Sequence, residues 1–145
     1  MFEIAAIDHI VLRTSRREQM LQFYCGVLGC RVERETAPET GLTQLRAGNA
    51  LIDIVTIDSD LGRRGGPAPA ADGNNLDHFC LQLKPVAEQA MREYLQTHGI
   101  EAGEFKRRYG AQGFGPSLYI RDPEGNTVEL KSQLPPEDGD GGSGN

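Results

Sequence analysis

Along residues 7–12, IDHIVL, the pattern has the period of a strand: Ile7, His9 and Val11 alternate with Asp8, Ile10 and Leu12. Ser15 and Glu18 follow in S-x-x-E spacing, which predicts a capping box and a helix start. Met20, Leu21, Tyr24, Val27 and Leu28 recur at three- and four-residue steps as the apolar stripe, and Gly29 stands where a helix-ending glycine belongs. A strand around Val32 comes next. Two more, over 42–46 and 50–57, are joined by Ala47-Gly48-Asn49.

The same order then returns. LDHFCL at 76–81 reads as a strand, and Pro85 is placed to be the first helical residue. Ala87, Ala90, Met91, Tyr94 and Leu95 make the apolar face of this helix, which Gly99 ends. A strand is predicted over 101–107. Residues 117–121 and 127–132 form a hairpin around Asp122-Pro123-Glu124-Gly125, whose residue order suits a type I turn.

Each half therefore reads βαβββ, as modules 5–61 and 74–133. Between them, 62–73 has the Gly, Pro and Ala content of a linker, and 135–145 has so little to bury that a disordered tail is predicted. One helix and four short strands cannot bury a core alone. The expected fold class is α+β: a single domain, 1–145, in which two modules share one curved mixed sheet with the helices outside and a concave cup inside.

Strand alternation assigns the faces. Ile10, Leu12, Phe79, Leu81, Ile52, Ile54, Val128 and Leu130 belong under the helices, which turns His9, His78, Asp53 and Glu129 toward the cup. Two imidazoles with one or two carboxylates suit Zn²⁺, Ni²⁺, Mn²⁺ or Fe²⁺. A strand histidine is more often structural, and an acid near a strand end is usually solvated. Repetition at matching positions on the face opposite the core is what favours a metal role. Asp53 has three readings: a ligand, a water-bridged partner of one, or a polar wall residue. Cys80 shares the face of His78, where a buried cysteine usually serves as a small apolar residue.

Composition narrows the class. The 145 residues carry a net charge of −6 with the basic residues scattered, so no nucleic-acid partner is expected. No apolar run reaches membrane-spanning length, and the N-terminus lacks the pattern of a secretory signal. Cys25, Cys30 and Cys80, without CxxC spacing, suggest free thiols and a cytoplasmic setting.

With IDHIVL, FYCGVLGCRVE, LDHFCL and DPEGNTVELK in view, the chain resembles the vicinal oxygen chelate superfamily, which includes glyoxalase I, extradiol dioxygenases and bleomycin-resistance proteins. The resemblance covers residues 5–133 and implies a paired βαβββ fold. It also implies one divalent metal ion held by His9, His78 and Glu129, and a small-molecule substrate with two adjacent oxygens. In glyoxalase-like members a Glu from the first half is the fourth ligand; the shorter Asp53 stands there. Arg13 matches an arginine that contacts the glutathione carboxylate, although a surface charge at a strand end is the alternative. Ile57 departs from the Asn that glyoxalases usually carry four residues beyond the first-half acid. The glycines of 107–119 suit a mobile loop that would bring Arg108 and Tyr109 to an anionic substrate. A homodimer is also implied.

The resulting expectation is a metal-dependent glyoxalase-like lyase or isomerase, in which Glu129 or Asp53 moves the proton. An Fe²⁺ extradiol-type dioxygenase and a non-enzymatic, bleomycin-type antibiotic-binding protein are the alternatives. The two histidines argue against the last, whose members do not keep the metal residues.

Overall fold

The computed structural model describes residues 1–135; the tail expected to be disordered lies, from 136 on, outside the described residues. The order is β1 (His9–Thr14), α1 (Arg17–Leu21) with a π-helical continuation (Gln22–Val27), β2 (Arg31–Glu35), β3 (Leu42–Ala47), β4 (Ala50–Thr56) and α2 (Asp60–Arg63). It continues with β5 (His78–Leu83), α3 (Glu88–Thr97), β6 (Lys106–Gly110), β7 (Gly113–Arg121) and β8 (Thr127–Ser132). The fold is α+β, with two βαβββ passes. Among the described residues, no helix is long and apolar enough to cross a membrane.

The described residues divide into two compact units: Met1–Asp77 with Arg121–Thr127, and His78–Ile120 with residues 128–135. The first unit holds a four-stranded sheet in the order β1-β4-β3-β2. β1 and β4 are parallel, and the other pairs are antiparallel. Leu12, Met20, Phe23, Leu45, Ile52 and Ile54 are buried here. Each such side chain contributes about 1.5–3 kcal/mol by leaving water.

The helix of this unit starts differently from its sequence pattern. The Ser15–Glu18 capping box does not form, because both partners are engaged elsewhere. Ser15 donates its N–H and its hydroxyl to Glu124, while Glu18 pairs with Arg17 at 2.6 Å. Arg16 is the N-cap and carries no side-chain cap bond; Thr14 Oγ1 accepts its N–H at 2.8 Å and donates to Glu124 at 2.6 Å. At the other end, Gly29 has φ +80°, and the Cys30 N–H reaches back to the Tyr24 carbonyl at 2.8 Å.

The second unit holds a sheet in the order β5-β8-β7-β6. Leu118, Ile120, Val128 and Leu130 are buried in it, as are Met91 and Leu95 of α3. Pro85 does not open this helix, which begins three residues later with Ala87 as its N-cap. Ser132 accounts for the delay: its Oγ accepts the Val86 N–H at 3.0 Å, and its proton lies between the carbonyls of Gln133 at 3.0 Å and Val86 at 3.3 Å, which holds Val86 outside the helix. Gly99, at φ +69°, ends the helix as the repeat requires.

The strand predicted over 101–107 lies later, at Lys106–Gly110. The mobile loop expected over 107–119 is instead ordered pairing between β6 and β7, from Lys106↔Ser117 to Gly110↔Gly113. The helix α2 was not signalled by the hydrophobic pattern. Its Ser59 cap accepts the Gly62 N–H at 3.1 Å, so residues 62 and 63 finish a helix before the chain loosens.

Candidate metal and substrate residues

His9 and Asp53 lie in the first unit. The parallel register pairs His9 with Leu51 and Val11 with Asp53, so His9 and Asp53 share one face of the sheet, two residues apart. Ile52 and Ile54, on the other face, are buried. Asp53 is 3% exposed, and Gln44, directly opposite on β3, donates Nε2 to its two carboxylate oxygens at 3.2 and 3.4 Å. The His9 ring is far more open. Its Nδ1 lies 2.6 Å from Asp8, which raises its pKa above the ordinary histidine value; the Asp53 charge adds to the rise. With the proton on the nitrogen facing Asp8, the other nitrogen keeps its lone pair, the arrangement found behind many metal-bound histidines.

His78 and Glu129 lie in the second unit. Glu129 is 6% exposed, on the face opposite Val128 and Leu130. Its Oε1 accepts from the Ser117 hydroxyl at 3.4 Å and lies 3.9 Å from Arg108 Nε. Arg108 is held by the Ser117 carbonyl at 2.7 Å and hydroxyl at 2.9 Å, and its guanidinium lies 4.4 Å from the centroid of the Tyr119 ring. His78 meets the same Tyr119 edge-on, with centroids 5.3 Å apart. Cys80 is exposed as a residue, yet its thiol is pushed up to about 12, by desolvation first and then by its hydrogen bond to Glu129.

Lys131, two residues beyond Glu129 on the same face, is buried, and the missing side chains of Gly110 and Gly115 leave room for its stem. The sequence reading overlooked Lys131, Ser117 and Tyr119. The period of two from Glu129 marked Lys131. Ser117 and Tyr119 emerge only once β7 is paired. Within neither unit, among the described residues, do three His, Cys, Asp or Glu side chains gather as one metal ion would need.

Arg13 and Tyr109, both expected to meet substrate, are placed otherwise. Arg13 donates Nε to the Gly62 carbonyl at 3.0 Å, Nη1 to Pro67 at 3.0 Å and Nη2 to Gly66 at 2.6 Å. A side chain on Gly65 would run into this guanidinium. Tyr109 pairs with Phe114 across the β6–β7 ladder, so it faces away from Arg108, its immediate neighbour on the strand. A strand cannot present both residues to one ligand.

A family model described as the Glyoxalase/Bleomycin resistance protein/Dioxygenase superfamily matches residues 6–130. Catechol-2,3-dioxygenase of Bacillus subtilis (strain 168) is 28% identical over 130 residues, which cover 89% of this chain but 42% of that protein. The chain thus spans less than half the length of this curated relative. Among solved structures, the Vibrio cholerae integron cassette protein VCH_CASS1 matches with a TM-score of 0.71 at 24% identity, over 92% of this chain and 99% of the other. Lactoylglutathione lyase from Agrobacterium tumefaciens matches with a TM-score of 0.63 at 22% identity, over 89% and 94%. Both structural likenesses are likenesses of fold.

Proposed function

Since the chain belongs to the Glyoxalase/Bleomycin resistance protein/Dioxygenase superfamily, we propose that it is a divalent-metal-dependent enzyme of the glyoxalase type. It would act as a lyase or isomerase on a small substrate with two adjacent oxygens. The observation that carries this reading is a matched pair of buried carboxylates. Asp53 at 3% exposure and Glu129 at 6% each lie on the face of their own sheet that also carries a histidine. The donors suit the metal: Asp8 leaves one His9 nitrogen as a lone-pair donor, and both carboxylates are hard oxygen ligands.

In this reading His9, His78 and Glu129 hold the ion, with Asp53 as a fourth ligand. A bound divalent ion would supply the Lewis acidity that makes a carbon-bound proton beside the chelating oxygens removable. One carboxylate, Glu129 or Asp53, takes that proton and returns it to the neighbouring carbon. Ser117 and Arg108 both approach Oε1 of Glu129. Arg108, braced on Ser117 and Tyr119, would orient an anionic group of the substrate.

A second reading, an Fe²⁺ extradiol-type dioxygenase using His9, His78 and Glu129, is favoured by the Gln44–Asp53 hydrogen bonds, which engage the fourth candidate. The name of the Bacillus relative agrees with it. Metal analysis of purified protein beside His78→Ala and Glu129→Gln tests both. Near-stoichiometric nickel, zinc or manganese, lost in both variants, with proton exchange on α-hydroxycarbonyl compounds, supports the first. Bound iron with oxygen uptake on catechols supports the second. Protein that takes up none of these ions overturns both and leaves non-catalytic ligand binding.

A further inference from the structure

The second unit carries a groove of about 370 Å³ whose lining includes Glu88 of α3, Phe105, Arg107, Phe114, Pro116 and Leu134. It is separate from the cluster around Glu129. Arg107 pairs with Pro116 and Tyr109 with Phe114, so these four side chains share one face of the β6–β7 ladder. Arg108, Ser117 and Glu129 occupy the other. The volume lies in the lower part of the range, roughly 300–1,000 Å³, of small-molecule sites.

From this lining we infer that the groove is a second ligand site, for an aromatic monocarboxylate. Its apolar surface is already exposed: Phe114 is 47% and Leu134 64% accessible. Two flat rings line the groove, and a guanidinium lies over one face of each, leaving the other face for a ligand ring. The Arg107 guanidinium lies 4.0 Å from the Phe114 centroid, and that of Arg92 lies 4.9 Å from the Phe105 centroid. Stacking on Phe114 costs Arg107 little of its hydrogen-bonding capacity and fixes its planar fork, which matches a carboxylate. Arg107 joins no ion pair among the described residues. Glu88 sets the upper limit on ligand charge. The guanidiniums of Arg107 and Arg92, on the two rings, against the Glu88 carboxylate favour a single negative charge and disfavour a dianion.

The probe is 2-naphthoate, titrated calorimetrically into the full chain, with 2-naphthamide as its neutral isostere. The expected result is saturable binding that weakens about tenfold in Arg107→Gln and in Phe114→Ala, with the amide binding at least as poorly. Arg107→Lys keeps the charge without the fork and should fall between Arg107→Gln and the parent. Arg108→Gln and Glu129→Gln should leave the affinity within about twofold of the parent. Chemical-shift changes centred on Phe105 and Phe114 give a second readout if one variant folds poorly. The inference is overturned by affinity lost in Arg108→Gln instead of Arg107→Gln, by equal binding of the amide, or by no binding at millimolar naphthoate.

Discussion

Asp122, in the turn between β7 and β8, gathers four hydrogen bonds on its carboxylate. It is 5% exposed and accepts from the Tyr24 hydroxyl at 2.7 Å, from Asn126 Nδ2 at 2.8 Å, and from the N–H groups of Glu124 and Asn126 at 2.9 Å each. Tyr24 is itself fully buried, and burial, with the Asp122 charge second, drives its phenol well above the ordinary tyrosine range. Tyr24→Phe should therefore cost about 1–3 kcal/mol in urea unfolding, since it removes one donor from a buried carboxylate. Glu124 titrates the other way. Burial by itself would raise it, but donors from Thr14 and Ser15, with the Arg16 charge, outweigh burial and hold it below its usual 4.5. A depressed carboxyl stabilises the fold above its unfolded value, and that contribution disappears as the pH falls through the lower, folded value. Glu124→Gln should thus be about 1–2 kcal/mol less stable than the parent at neutral pH, with the gap closing in acid. A gap that persists in acid would dismiss this role. The Asp-Pro-Glu-Gly pattern marked the turn, but nothing local foretold that its glutamate would accept from the N–H of Ser15, 109 residues earlier.

At the level of elements, Arg13 ties β1 to the end of α2 and the chain just beyond it. Three carbonyls, of Gly62, Gly66 and Pro67, accept from one guanidinium. Arg13→Gln should loosen 62–67 and speed tryptic cleavage after Arg63 or Arg64, while the sheet keeps its thermal midpoint within a few degrees. Unchanged cleavage together with an impaired substrate KM would return Arg13 to the substrate-binding role its position suggested. The hairpin of β6 and β7 was legible in part. Residues 110–116, around its turn and inside the predicted loop, are rich in glycine, which read as mobility. In the sheet those glycines admit Lys131 and turn the strand, and both tasks are visible only when the partner strand is known.

For the whole molecule, the proposed metal couples to stability by mass action. A divalent ion at about 100 times its Kd should add about 2.7 kcal/mol, and Glu129→Gln should abolish that gain without lowering the metal-free midpoint by a comparable amount. A metal-independent midpoint in the parent would count against the site. The repeated strand-and-helix pattern, the terminal glycines Gly29 and Gly99 and the buried faces were written locally. Periods of two and 3.6 and positive backbone φ depend only on neighbouring residues. The donors of Asp53, Glu124 and Glu129, the separation of Arg108 from Tyr109 and the late start of α3 were not. Each depends on which distant backbone group or side chain a polar atom meets, and that choice is made by strand pairing and packing.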